Sequence, residues 1–196
     1  MFYRIRDILF AIFGLLIFSG VFIVFVPLLA LTQQRVFFVQ ERTGYRGKPF
    51  WLIKFSTLRD ILPGEREEDD QRKRLTILGR FLRKFSFDEL PQLWNVLKGE
   101  MSIVGPRPLI HEYLDLYSTE QRRRFEVRPG ITGWAQVNGR NAISFTERFQ
   151  LDVWYVQNRS ILLDLKIIWK TLTKALSGKD VFMNEKTTSA KFDGKN

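Results

Sequence analysis

The stretch Phe87-Asp88-Glu89-Leu90-Pro91-Gln92-Leu93-Trp94-Asn95 sets two carboxylates side by side in a chain of formal net charge +10. Adjacent acids can divide chemical labour: one attacks a substrate while the other holds a cation. A plainer explanation also exists. An aspartate caps a helix N-terminus, which makes Asp88 the expected N-cap, and a glutamate in the first turn suits the helix dipole. Two neighbouring features favour chemistry. Arg83 and Lys84 lie just upstream. Downstream, Gly105-Pro106-Arg107-Pro108 places an arginine between two prolines. They restrict its backbone and give the guanidinium a rigid support for a phosphate oxygen. Carboxylates, arginines and a helix N-terminus together describe a site for phosphate.

Composition narrows the chemistry further. None of the 196 residues is cysteine, which excludes disulfides, thiol nucleophiles and thiolate metal sites. The single histidine, His111, excludes a multi-histidine zinc centre. A hard, oxygen-loving metal ion remains compatible with the residues present. The balance of 31 Lys+Arg against 21 Asp+Glu points to anionic partners: nucleic acid, lipid headgroups or phosphorylated substrates.

The N-terminal segment bears on that choice. From Ile8 to Leu31 the chain carries no charge. As a straight helix this run would be roughly 36 Å long, enough to cross a hydrocarbon core of about 30 Å. Arg4 and Arg6 precede it, and Arg35, Arg42, Arg46 and Lys48 follow it, so both flanks favour the cytoplasmic side. Pro27 lacks an N–H and crowds the carbonyl of Ile23, so a kink is expected there, with Ser19-Gly20 a second weak point. A simple span and a helix that bends and returns to the same face both fit. Either one displaces nucleic acid as a partner.

The elements that must position the acids read as follows. Residues 36–39 and 50–53 form a β-hairpin whose connection holds Gly44, Gly47 and Pro49. Residues 63–74 are a charged, solvated loop, and 75–84 a short basic helix. Leu90, Leu93, Trp94 and Leu97 share one face of a helix ended by Gly99. Residues 110–126 look helical and basic, and 128–141 read as a loop. Two helices cover 145–158 and 162–176. The second carries Leu165, Ile168, Trp169 and Leu172 on a face suited to the domain or to a membrane interface. The expected fold is α+β, mainly helical with a small β-hairpin. Residues 1–35 would be membrane-embedded, 36–183 a catalytic domain and 184–196 a disordered tail.

The segments 36–55, 78–108 (LGRFLRKFSFDELPQLWNVLKGEMSIVGPRP), 128–141 (RPGITGWAQVNGRN) and 151–168 resemble the bacterial sugar transferases, specifically the small monotopic phosphoglycosyl transferases. The resemblance implies transfer of a sugar-1-phosphate from a UDP-sugar to polyprenyl phosphate, with release of UMP. Asp88 would attack the β-phosphorus and form a phosphosugar-aspartyl intermediate, with Glu89 as its Mg²⁺ partner. Lys54, Arg83, Arg107 and Arg140 fall on basic positions that bind phosphates, and Asp152 on a further acidic position of the site. The family implies a re-entrant membrane helix on the cytoplasmic face of the bacterial inner membrane. Two departures stand out. Val26 precedes Pro27 where the family often has serine, and Ser56-Thr57 follows Lys54-Phe55 where an arginine is usual. A membrane-tethered nucleic-acid binder would be opposed by Asp88 and Glu89, and a noncatalytic scaffold would have no use for them.

Overall fold

A computed structural model describes residues 2–33, 35–62, 71–139, 143–177 and 192–194. It begins with α1 (Phe2–Ile17) and α2 (Ser19–Thr32), two apolar helices set 62° apart. The break falls at Phe18, not at Pro27, and α2 runs through the proline. Pro27 removes one ladder donor, and the rest of the helix tolerates that loss. At the break, Ser19 Oγ donates to the carbonyl of Leu16 at 2.8 Å, which satisfies a group that the interrupted ladder leaves open. The expected second weak point is therefore the true one. Among the described residues no single helix is long and apolar enough to cross a membrane.

Both ends of this bent pair rest on the globular part. Arg4 donates to the carbonyls of Val96 and Leu97, near the end of the helix that follows the acid pair. Arg6 pairs with Asp7 and Asp164, and Ser102 Oγ donates to Asp7 Oδ2 at 2.7 Å. Tyr155 donates to Asp164 at 2.6 Å. At the other end, Gln33 Nε2 donates to Thr76 Oγ1 at 3.2 Å. Between these ties the outer faces stay apolar and exposed, including Phe13, Leu16, Ile23 and Leu31.

The expected hairpin follows as β1 (Phe37–Thr43) and β2 (Pro49–Phe55), antiparallel, with Phe38 opposite Lys54 and Arg42 opposite Phe50. Side chains alternate along a strand. Lys54, Leu52, Gln40 and Arg42 therefore share the face turned to the body, while Trp51 and Val39 face outward and are exposed. Helix α3 (Gln71–Arg74) forms the end of the segment expected to be a loop; residues 63–70 lie outside the described residues. Helix α4 (Ile77–Lys84) starts where Thr76 Oγ1 accepts from the Gly79 N–H.

Helix α5 (Gln92–Lys98) ends at Gly99, whose φ of +87° is the left-handed conformation that glycine adopts without strain. Its buried side is Gln92, Leu93, Asn95 and Val96, whereas Trp94, expected to face inward, is exposed. Asn95 explains the rotation. Its Oδ1 accepts from the Ile53 N–H at 3.1 Å, and its Nδ2 donates to the Trp51 carbonyl at 2.7 Å. One fully buried amide thus completes the edge of β2 and pins α5 to the hairpin.

Strand β3 (Ser102–Val104) leads into the proline-flanked segment. The basic stretch at 110–126 is broken into a 3₁₀ turn (His111–Leu116), α6 (Thr119–Arg122) and a second 3₁₀ turn (Arg123–Glu126). The stretch from 128, expected to be a loop, holds β4 (Gly130–Thr132), parallel to β3, and α7 (Trp134–Asn138). Its glycines serve close approach: a Cβ on Gly130 would lie 2.0 Å from the Gly105 nitrogen. Helices α8 (Phe145–Asn158) and α9 (Ile161–Ser177) match their expected positions, and Ser144 and Glu147 form a capping box at the start of α8. On α9 the buried residues are Asp164 and Ile167, because Arg6 and Tyr155 hold Asp164 inward. Leu165, Trp169 and Leu172 are consequently exposed. Phe192, in the tail expected to be disordered, is buried among Tyr113, Tyr117, Phe145 and Phe149; most of 184–196 lies outside the described residues.

Candidate active site

Asp88 does not cap α5. It lies in a separate 3₁₀ turn, Phe87–Glu89, and α5 begins only at Gln92, after Leu90 and Pro91. The turn exists because Ser86 adopts a left-handed φ of +57°, which is uncommon outside glycine. That single residue reverses the chain at the end of α4 and brings the acids back beside Arg83. Phe87 anchors the turn in an aromatic cluster with Phe81, Phe85 and Phe18, the residue at the helix break.

The two acids meet different surroundings. Glu89 Oε1 accepts from Lys54 Nζ and from an Arg107 terminal nitrogen, both at 2.7 Å. Burial would push the Glu89 carboxyl up, but Arg107 and Lys54 outweigh it and hold the group well below the usual carboxylate range. The same contact raises Arg107, while burial pulls Lys54 down in spite of Glu89. Asp88 has neither a hydrogen bond nor an ion pair to its carboxylate among the described residues. Burial first, and the Glu89 charge second, push its pKa up against the pull of Lys54, Arg83 and Arg107. One acid is thus a fixed anion and a structural link. The other is an unengaged carboxylate beside it.

Arg83, whose charge acts on Asp88, is held by its Nε donating to Thr57 Oγ1 at 3.0 Å. The Ser56-Thr57 departure therefore supplies a hydroxyl that orients one of the expected basic residues. Arg107 is held from behind: Arg124 donates to the Arg107 carbonyl at 2.7 Å and to Asp152 Oδ2 at 2.8 Å, and also reaches the Tyr117 hydroxyl. The Arg124–Asp152 pair is fully buried. The Asp152 carboxylate is engaged by Arg124 and through it bears on the Arg107 backbone. In the basic run Arg122-Arg123-Arg124 only Arg124 is buried, and nothing local in the sequence distinguishes it from the other two. Arg140 lies outside the described residues.

Among the described residues no three acidic or imidazole side chains converge to enclose a metal ion. Asp88 and Glu89 fit Mg²⁺ in another way. That ion commonly binds through one or two carboxylates, keeps several waters and shares substrate phosphate oxygens. Both cationic bonds to Glu89 go to Oε1, which leaves Oε2 for such a ligand.

The family model described as bacterial sugar transferase matches residues 1–178. The chain is 54% identical to the uncharacterized sugar transferase EpsL of Bacillus subtilis, over 81% of this chain and 79% of that one. It is 39% identical to the exopolysaccharide production protein ExoY of Sinorhizobium fredii, over 86% and 83% respectively. It is 40% identical to the undecaprenyl-phosphate galactose phosphotransferase of Salmonella typhimurium, over 67% of this chain and 31% of that protein.

The placement of Asp152 is testable. Asp152→Ala leaves a buried guanidinium without its counter-ion, a change that costs about 3–5 kcal/mol. A large drop in the thermal midpoint of the detergent-solubilised protein is expected, together with loss of activity. A variant with a wild-type midpoint and impaired substrate binding would instead make Asp152 a direct ligand.

Proposed function

The chain belongs to the bacterial sugar transferase family and is a transferase, and on that premise we propose that it moves a sugar-1-phosphate from a UDP-sugar to a polyprenyl phosphate. The observation that carries this reading is the division between the two acids: Glu89 bound twice, Asp88 without a bonded partner among the described residues and within the field of Arg83. In the first step an Asp88 oxygen attacks the β-phosphorus. The Asp88 O–P bond forms, the bridging P–O bond breaks, and UMP leaves with that electron pair. In the second step a phosphate oxygen of the lipid attacks the same phosphorus, the aspartyl bond breaks, and the Asp88 carboxylate is restored. A carboxylate nucleophile divides one transfer into two easier ones. Lys54, Arg83 and Arg107 supply positive charge where the phosphoryl oxygens gather it. Mg²⁺, held by Glu89 and Asp88, would supply further charge neutralisation.

The bent apolar pair fits a re-entrant anchor. Its two ends dock on one globular body, and both flanks are basic. A bend between them would return the chain to the side from which it entered, which for basic flanks is the cytoplasmic face of the membrane.

Three outcomes test this reading. Asp88→Asn should lower turnover by several orders of magnitude. Wild-type protein given UDP-sugar without lipid should release about one equivalent of UMP and retain phosphosugar covalently, and the variant should do neither. The folded pKa of Asp88 is raised, so its ionised form opposes folding at neutral pH, a cost absent below the unfolded pKa. The variant's thermal midpoint should therefore be equal to or above that of the wild type. Turnover near the wild-type rate would return Asp88 to a structural role.

Excess chelator should abolish turnover, and added Mg²⁺ should restore it. Undiminished turnover in chelator would remove the metal from the mechanism.

The chain has no cysteine, so Phe2→Cys and Lys48→Cys each carry a single thiol. Both should resist an impermeant thiol reagent in intact cells and react after permeabilisation. Labelling of Phe2→Cys alone in intact cells would establish a true span.

A further inference from the structure

A cleft opens beside the acid pair, lined by Arg42, Leu52, Lys54, Gln92, Arg107 and Pro108. Lys54 and Arg107 already share Glu89. Arg42 and Gln92 have no such role, and nothing said so far requires them.

Both residues present buried donors without acceptors. The Gln92 side chain belongs to a residue only 2% exposed, and its Nε2 meets no partner among the described residues. The Arg42 Nε is likewise buried and unpartnered. A terminal nitrogen of Arg42 reaches only the neutral amide oxygen of Gln40. No carboxylate lies within ion-pair distance of the Arg42 guanidinium among the described residues. Burial and the neighbouring Arg107 push Arg42 down to about 10, the mark of a cation in a setting short of negative charge. Three cations thus face this cleft with one carboxylate, Glu89, between them. Buried donors left unmet are costly, and groups of them in native proteins call for a ligand or water.

The cleft shares Lys54 and Arg107 with Glu89. Arg83, oriented by Thr57, does not line it and acts on Asp88. A diphosphate has two phosphoryl groups joined by one oxygen, and these two sets of donors suit one group each.

We propose that Arg42 and Gln92 form a cradle for a second phosphoryl group, the one that departs with the nucleotide and is never bonded to Asp88. The inference rests on the phosphoglycosyl transfer proposed above and adds two residues to it. Arg42 offers a planar fork for two phosphate oxygens, and Gln92 adds an amide donor. Leu52 and Pro108 exclude water from one side, which strengthens these bonds. In the leaving step the cradle binds the negative charge that builds on the departing phosphate.

The test separates this site from the reaction itself. Inorganic pyrophosphate is titrated calorimetrically into the full chain in detergent, with no sugar or lipid present. Arg42→Met and Gln92→Glu should each weaken its binding at least tenfold, while Lys98→Gln, which removes an exposed charge elsewhere, should not. Gln92→Glu is nearly isosteric, so it reports on anion repulsion even if Arg42→Met folds poorly. In the half-reactions, Arg42→Met should slow the release of UMP and leave the KM for polyprenyl phosphate unchanged. Equal pyrophosphate affinity in wild type and both variants would overturn the proposal. So would a defect confined to the lipid-dependent step, which would give the cradle to the acceptor phosphate. Pyrophosphate binding that depends on Arg42 in a protein with no UDP-sugar turnover would preserve the cradle and reject the reaction.

Discussion

One oxygen atom, Glu89 Oε1, joins three segments far apart in sequence: the turn after α4, strand β2 through Lys54, and the proline-flanked segment through Arg107. A carboxylate in this partly buried position would be costly alone, and so would either cation. Together they form a link that holds only if each partner is independently supported. Asn95 fixes β2 against α5, Arg124 fixes the carbonyl of Arg107, and the Phe87 ring fixes the turn. Much of the globular part can be understood as the means of keeping these three groups within hydrogen-bond distance.

The neighbouring Asp88 gains from this arrangement without joining it. With both cations engaged by Glu89, the Asp88 carboxylate is left without a hydrogen bond among the described residues. It still lies within the reach of their field, as the downward pull on its pKa shows. Two adjacent residues of nearly identical chemistry are set apart by their contacts, one held as a fixed anion and the other pushed up by burial.

Local rules carried the sequence reading a long way. The hairpin, α4, α8, α9 and the Gly99 stop all follow from period and turn residues. The misses have one cause: they depend on partners distant in the chain. Trp94 and Asn95 have the same helical neighbours, but only the open edge of β2 decides that Asn95 turns inward. Asp164 draws its side of α9 inward because Arg6, from the first helix, needs a counter-ion. Arg124 looks like any member of a basic run until Asp152 and the Arg107 carbonyl are placed around it. The break at Phe18 was masked by Pro27, the stronger local signal, although Ser19 was in position to satisfy a freed carbonyl. The glycines from Gly130 onward suggested a loop, whereas they allow β4 to lie against the chain at Gly105.

The Asn95 amide has a consequence for solubility. A two-stranded hairpin is marginal by itself, and an unpaired strand edge is a template for another chain. Asn95 occupies the β2 edge with one acceptor and one donor, as a third strand would, without itself presenting a further edge. The backbone bridge between Arg42 and Ile110, and the Thr43 N–H donated to Leu109, cover part of the β1 edge. Part of each edge of this two-stranded sheet is thereby covered, on β2 by a side chain. A crowded layer of such proteins at one surface has fewer open strand edges through which to nucleate cross-β aggregates.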